Sequence, residues 1–231
     1  MDCRLYQKPI TVLFLFVAVP QQQTIQAQTV GQWRDSLTVL NRAITQNPQS
    51  VDLRLRKAAV NLELSQWNYA VEEYGRVLEL DAKNLTALFF RAYAHNQLRH
   101  YELAVADYDK LLSLVPKHFE GLFGASMANR KAGNSVKAMD YLNQMVQFFP
   151  DSALAYAARA SYEAELKMFD AALFDWDEAI ARDSANVDIA ISKVDLLLKL
   201  DRKREARRLL RTIIDRGVPR AALKEWLERC Q

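Results

Sequence analysis

The chain has 231 residues, half of them hydrophobic, and only six Gly and six Pro. That is enough apolar side chain for a sizeable core, and the prevalence of Ala, Leu, Glu, Lys, Arg and Gln favours long helices over a sandwich or barrel, so the expected class is all-α. A formal net charge of +3 is too small for nucleic-acid binding by the whole chain, which needs a basic face against the phosphates, and no nucleic-acid partner is expected.

Residues 1–27 read as a signal peptide. Arg4 and Lys8 precede the apolar run Ile10 to Val19, then Pro20 and a polar stretch ending at Ala27, the order of a secretory signal. A run of ten residues falls short of the roughly 20 that span a bilayer core of about 30 Å, so no stable membrane insertion is expected after cleavage near Ala27. An uncleaved anchor or a buried helix are the alternatives. The expected destination is the bacterial cell envelope, periplasmic or extracellular. Cys3 leaves with the signal and Cys230 then stands alone, which excludes an intramolecular disulfide framework.

From there the chain repeats. A column of small residues recurs at Ser36, Ala70, Ala104, Ala138, Ala172 and Ala206, every interval being 34. Four residues further on stand Leu40, Tyr74, Tyr108, Leu142, Trp176 and Leu210, and three beyond those Ala43, Val77, Leu111, Met145, Ala179 and Ile213. Spacings of four and three place these columns on one helix face. Upstream in each unit lies a second helical segment with Arg54, Leu88, Leu122, Tyr156 and Ala190, followed by Ala58, Ala92, Ser126, Ala160 and Val194. The turn between the two helices carries Trp67, Tyr101 and Phe169, and breakers close the units at Pro48, Asp81 to Asn84, Pro116 and Phe149 to Asp151.

This pattern resembles the tetratricopeptide repeat from residue 31 to 220, without insertion or deletion. The resemblance implies a right-handed α-solenoid of antiparallel helix pairs whose first helices line a concave groove. The expected units are a lone N-terminal helix within 28–50, five repeats at 51–84, 85–118, 119–152, 153–186 and 187–220, and a C-terminal capping helix within 221–231. Gly31, Gln32 and Trp33 match the inter-helix turn of an earlier unit, so the lone helix is expected from about Arg34 to Gln46. Pro219 can open the cap, read as Ala221 to Arg229.

Lys57, Arg91 and Arg159 each have an acid 16 residues downstream, Glu73, Asp107 and Asp175, while Ala125 is matched by Tyr141. Basic and acidic residues appear or vanish together, which predicts helix-to-helix ion pairs within a unit, with Lys193 opposite Leu209 as the exception. Arg202, Lys203, Arg204, Arg207, Arg208 and Arg211 form the sharpest charge cluster. Two readings stay open for it: a patch for an acidic partner, or neutralisation by Asp170, Asp175, Asp177 and Glu178 of the preceding unit. That unit has three basic and seven acidic residues against ten and five in the last.

No catalytic constellation is visible, and an enzyme is not expected. His95, His100 and His118 lack metal-ligand spacing, so neither metal nor cofactor is expected; there is no Gly-rich phosphate loop, His-Glu-x-x-His or Gly-x-Ser-x-Gly. His95 shares a mostly polar column with Asn61, Asn129 and Glu163, read as an inter-repeat hydrogen-bond ladder. By the resemblance, the groove wall includes Leu55, Phe89, Phe90, Tyr93, Asn96, Phe123, Met127 and Arg130, ending on Asp188, Ile191, Ser192 and Asp195. The family's two-carboxylate clamp is absent, its places holding Leu55, Ala59, Phe90, Glu120 and Gly124. The expected function is a non-enzymatic interaction module whose partner is a protein or peptide with an apolar or aromatic segment. A homo-oligomeric scaffold is the structural alternative, and aromatics covered by neighbouring repeats are the alternative to an open groove.

Overall fold

The computed structural model describes residues 30–231; the signal segment, Cys3 and the cleavage point near Ala27 lie outside the described residues. Twelve α-helices follow one another: α1 (Val30–Gln46), α2 (Val51–Glu63), α3 (Trp67–Leu80), α4 (Leu85–Gln97), α5 (Tyr101–Leu114), α6 (Phe119–Lys131), α7 (Ser135–Phe148), α8 (Ala153–Glu165), α9 (Phe169–Arg182), α10 (Val187–Lys199), α11 (Lys203–Asp215) and α12 (Lys224–Arg229), with a 3-10 turn at Arg220–Leu223 before the last. Helices α2 to α11 form five antiparallel pairs in a right-handed solenoid.

The two kinds of helix start differently. Each first helix of a pair begins on a side chain that accepts from a backbone N–H of the first turn: Ser50 from Leu53, Asn84 from Ala87, His118 Nδ1 from Gly121, Ser152 from Ala155 and Asn186 from Ile189. Such caps satisfy donors that the helix itself leaves unpaired. The second helices have no side-chain cap. The chain enters them through a left-handed residue, Ser65, Arg99, Gly133, Lys167 or Asp201, with φ between 54° and 83°. Only one of the five is glycine, so the turn imposes strain of about 1 kcal/mol at each of the others.

The small-residue columns seat the helices on one another. Ala70, Ala104, Ala138, Ala172 and Ala206 are buried, as are Ala58, Ala92, Ser126, Ala160 and Val194 opposite them, and the large columns from Tyr74 to Leu210 and Val77 to Ile213 fill the space between. Buried side chains form two contiguous cores. Ala155 and Tyr162 of α8 belong to the first, Ala153, Tyr156, Ala157 and Ala160 to the second, and Val146 touches both.

The ends depart from the reading of the sequence. Helix α1 runs through Gly31, Gln32 and Trp33 rather than turning there. A left-handed turn at this column is imposed by a first helix packed just before it, and the described residues contain none. Val39 of α1 is consequently 68% exposed, where its equivalents Glu73, Asp107 and Asp175 are buried. At the other end the cap opens as a 3-10 turn because Pro219 is extended, with φ −57° and ψ 129°, and the α-helix starts only at Lys224.

Candidate functional site

The middle of the first-helix face is aromatic and braced from behind. Phe90 of α4 stacks on Tyr74 at 6.0 Å between ring centroids, Phe89 meets Tyr108 edge-on at 5.9 Å, and the two phenylalanines make a T-shaped contact at 5.1 Å. Phe90 therefore leans on the second helix of the preceding pair and Phe89 on that of its own. Phe89 also stacks on the imidazole of the cap His118, and Tyr93 meets Trp67 edge-on.

Glycine makes this arrangement possible at one point. A Cβ at Gly124 would lie 2.4 Å from Tyr108 Cζ, so the buried Tyr108 ring occupies space that any other residue of α6 would take. The Asn96 amide reaches the Tyr108 hydroxyl, whose pKa burial raises above its ordinary value, while Asn96 Oδ1 is buried without a partner.

Leu55, Phe89, Phe90 and Phe123 are half-buried against the core, and Tyr93, Asn96, Met127 and Arg130 are half-buried as well. The groove face thus keeps part of each side chain accessible and commits the rest to the stack. Arg130 is engaged already: it pairs with Glu165 of α8 and lies 5.7 Å from the Tyr162 ring centroid. Asp195 is likewise held by the cap, accepting from Trp226 Nε1 at 3.1 Å and from Arg229 at 2.8 Å.

The ion pairs form as their spacing requires. Arg91 and Arg159 bind Asp107 and Asp175 bidentately, and Lys57 joins Arg54 on Glu73. The acids are more buried than a surface pair, Asp175 keeping 2% of its side chain exposed, so removing the base would strand a carboxylate in the interior. Lys193 pairs instead with Asp177 of the previous second helix at 2.5 Å.

The acidic unit does not neutralise the basic cluster. Asp175, Asp177 and Glu178 are taken by Arg159, Lys193 and Arg182, and Arg202 is held bidentately by Glu205 with Asp170 nearby. Lys203, Arg204, Arg207, Arg208 and Arg211 are exposed on α11, and within the chain Arg207 donates to the Cys230 carbonyl. A charge pattern reports which residues share a unit but not which neighbours reach them.

A column missed in the sequence joins successive units. At 34-residue intervals stand Asn41, Gly75, Asp109, Asn143 and Asp177. Tyr141 donates to Asp109 at 2.6 Å, Arg159 to Asn143 at 3.1 Å, and Lys193 pairs with Asp177. At the first interface Asn41 instead borders a cavity of about 300 Å³ with Leu37, Lys57, Asn61, Gln66, Tyr69, Glu72 and Glu73. A small polar residue at fixed period was the available signal.

The polar column of Asn61, His95, Asn129 and Glu163 is not a ladder between repeats. Asn129 donates to Ala125 and accepts from Asn134 within its own hairpin, while Asn61 Nδ2, His95 Nδ1 and Glu163 Oε2 are buried without partners. The backbone carbonyl of each accepts from the inter-helix turn of its own hairpin, at Gln66, His100, Asn134 and Met168. Burial lowers the His95 pKa and, with Asp175 adding to it, pushes Glu163 up to about 7. Glu163 borders neither this cavity nor a smaller one of about 160 Å³ beside Val187, Ile213 and Arg216. Among the described residues no group of His, Cys, Asp and Glu is placed to hold a metal, and no helix is long and apolar enough to cross a membrane.

A family model of the tetratricopeptide repeat matches residues 61–113 and 91–153. Over these residues the chain is built of tetratricopeptide repeats. Its fold is similar to the crystal structure of MamA, at a TM-score of 0.63 and 14% identity, covering 68% of this chain and 92% of that one. It is similar also to a tetratricopeptide repeat protein from Parabacteroides merdae ATCC 43184, at 0.61 and 19%, covering 87% and 78%. A further likeness is to MamA from Desulfovibrio magneticus RS-1, at 0.63 and 12%, covering 68% and 88%. No curated protein matches the chain in sequence. Tetratricopeptide repeats are protein-interaction modules and generally non-catalytic, and at such identities the solved structures speak to fold alone.

Proposed function

We propose that this repeat protein works in the bacterial cell envelope as a non-enzymatic adaptor or assembly subunit, holding an apolar or aromatic segment of a partner in its concave groove. The observation that carries the reading is the braced ledge of Phe89, Phe90 and Phe123, half-buried and joined by Tyr93 and Met127. Rings fixed from behind lose little freedom when a ligand covers them, which favours binding. Each such side chain is worth roughly 1.5 to 3 kcal/mol when fully buried, and association costs offset much of that, so affinity of about micromolar order is expected. The envelope setting rests on the basic, apolar and small-residue order of residues 1–27.

Affinity capture from the envelope fraction, with the chain and its Phe90→Ala/Phe123→Ala variant as parallel baits, tests both parts. A partner recovered by the first and lost by the second, at equal helicity, supports the groove. An intact capture by the variant removes it, and absence of the protein itself from the envelope removes the location. A homo-oligomeric scaffold is the second reading, and the open flank of α1 around Val39 favours it; a monomer by light scattering sinks it.

A further inference from the structure

The outer face of α11 is arranged at the expense of its own helix. Arg204 stands three and four residues before Arg207 and Arg208, which in turn stand four and three before Arg211, with Lys203 beside them in the first turn. Residues at those spacings are neighbours about 6 Å apart on a helix surface, and like charges there oppose helix formation. Lys203 and Arg204 also stand at the positive end of the helix dipole, where an acid would be favourable. Other second helices avoid this: α3 pairs Arg76 with Glu79, and α9 pairs Arg182 with Glu178.

Nothing among the described residues offsets the repulsion fully. Glu205, the one acid of the first turn, is committed bidentately to Arg202, with Arg208 reaching it only through longer-range attraction. Asp175, Asp177 and Glu178 of α9 are bound elsewhere, and Asp170 lies near Arg202. The apolar side of α11, with Ala206, Leu210 and Ile213, is buried in the core, so apart from Arg207, one of whose N–H groups donates to the Cys230 carbonyl, the fold is served without these arginines.

We propose that the α11 face is a second binding surface, independent of the groove, that docks a short acidic polypeptide segment through carboxylates set against Arg204, Arg207, Arg208 and Arg211. Guanidinium groups bind carboxylates bidentately. The face runs about 12 Å along the helix, the reach of two to three turns of a partner helix or a short strand. Its surroundings favour a local acidic segment over a long polyanion or a bilayer. The neighbouring α9 exposes Asp170, which would repel a polyanion continuing across the surface. No large hydrophobic residue of α11 or α12 is exposed to enter lipid.

The test measures binding of a labelled oligo-glutamate peptide, a single-stranded oligonucleotide and phosphatidylglycerol vesicles to the purified protein. The peptide should bind more tightly than either other probe, and its affinity should fall about tenfold or more as salt rises from low to physiological, since screened charges carry it. Arg204→Gln/Arg208→Gln/Arg211→Gln should lose about tenfold or more in peptide affinity while its Tm stays level or rises, because repulsion within α11 is relieved. Arg211→Glu alone, at an exposed position, should weaken peptide binding in the same direction and guards against a folding defect in the triple variant. The Phe90→Ala/Phe123→Ala variant should bind the peptide undiminished, which separates this surface from the groove. Peptide binding unaffected by both arginine variants, absence of peptide binding, or tighter binding of the oligonucleotide or vesicles would each overturn the proposal.

Discussion

Replacing Gly124 with alanine sets two effects against each other. Gly124 lies inside α6, where alanine is favoured over glycine by about 1 kcal/mol. Against this, the new methyl carbon would sit 2.4, 2.6 and 2.7 Å from Tyr108 Cζ, Cε1 and the hydroxyl oxygen, when carbon atoms in contact rest near 3.5 to 4 Å. The Tyr108 ring would have to move by about 1 Å, and it is 2% exposed, faced by Phe89 and joined to Asn96. Overpacking of this kind costs about 1 to 3 kcal/mol and a disturbed buried hydrogen bond about 1 more, so the clash wins and the variant should be less stable by about 1 to 3 kcal/mol. Gly75→Ala in α3 is the matched control. Its nearest contact is Arg91 Nη1 at 3.8 Å, an ordinary distance, so helix propensity should prevail and stabilise by about 0.5 to 1 kcal/mol. Urea denaturation followed by circular dichroism should move the two midpoints in opposite directions. If Gly124→Ala stabilised the chain as Gly75→Ala does, Tyr108 would not be fixed against α6 and the bracing of Phe89 and Asn96 would fall with it.

The remaining predictions concern the hairpins, the groove and the α11 face. The Glu163 carboxyl stands at about 7 against 4.5 for a free carboxyl, so the folded chain holds a proton that the unfolded chain has released between those values. Stability therefore falls as pH rises from about 4.5 through 7, and Glu163→Gln should gain on the parent by about 2 to 3 kcal/mol over that window, with parallel pH profiles of unfolding refuting it. Lys167, exposed and left-handed at φ 63°, should yield about 1 kcal/mol of stability on replacement by glycine, as its counterpart Gly133 illustrates; an unchanged or lower Tm would show that the turn is not strained there. Loss of partner capture by Phe90→Ala/Phe123→Ala, and loss of oligo-glutamate binding by the α11 variants, complete the set.

The columns of alanine at 34-residue spacing carried most of the architecture in plain view. A small residue every 34 positions, with large ones four and seven residues later, has one packing solution when two helices must approach closely and then do so again. The pairing of Arg91 with Asp107 and Arg159 with Asp175 was equally legible, because a separation of 16 residues within a unit is a fixed separation in space. His118 was less so: noted only for lacking metal-ligand spacing, it caps α6 and stacks on Phe89, a role that its place just before Phe119 allows but its residue type does not announce.

Contacts between units were harder to see. Whether α9 neutralises α11 depended on which of several nearby bases each carboxylate meets, and Asp177 turned to Lys193 and Glu178 to Arg182. The aromatics divided in the same way, since Phe89 and Phe90 are adjacent in sequence yet brace on different helices. By itself the sequence determined the repeat, its helices and the ion pairs within each unit, because local periodicity dictates these. Only the tertiary structure decided the half-burial of the groove, the space at Gly124 and the unneutralised face of α11, because these depend on distances between side chains of different units, which the small rotation from one repeat to the next sets and a linear pattern does not encode.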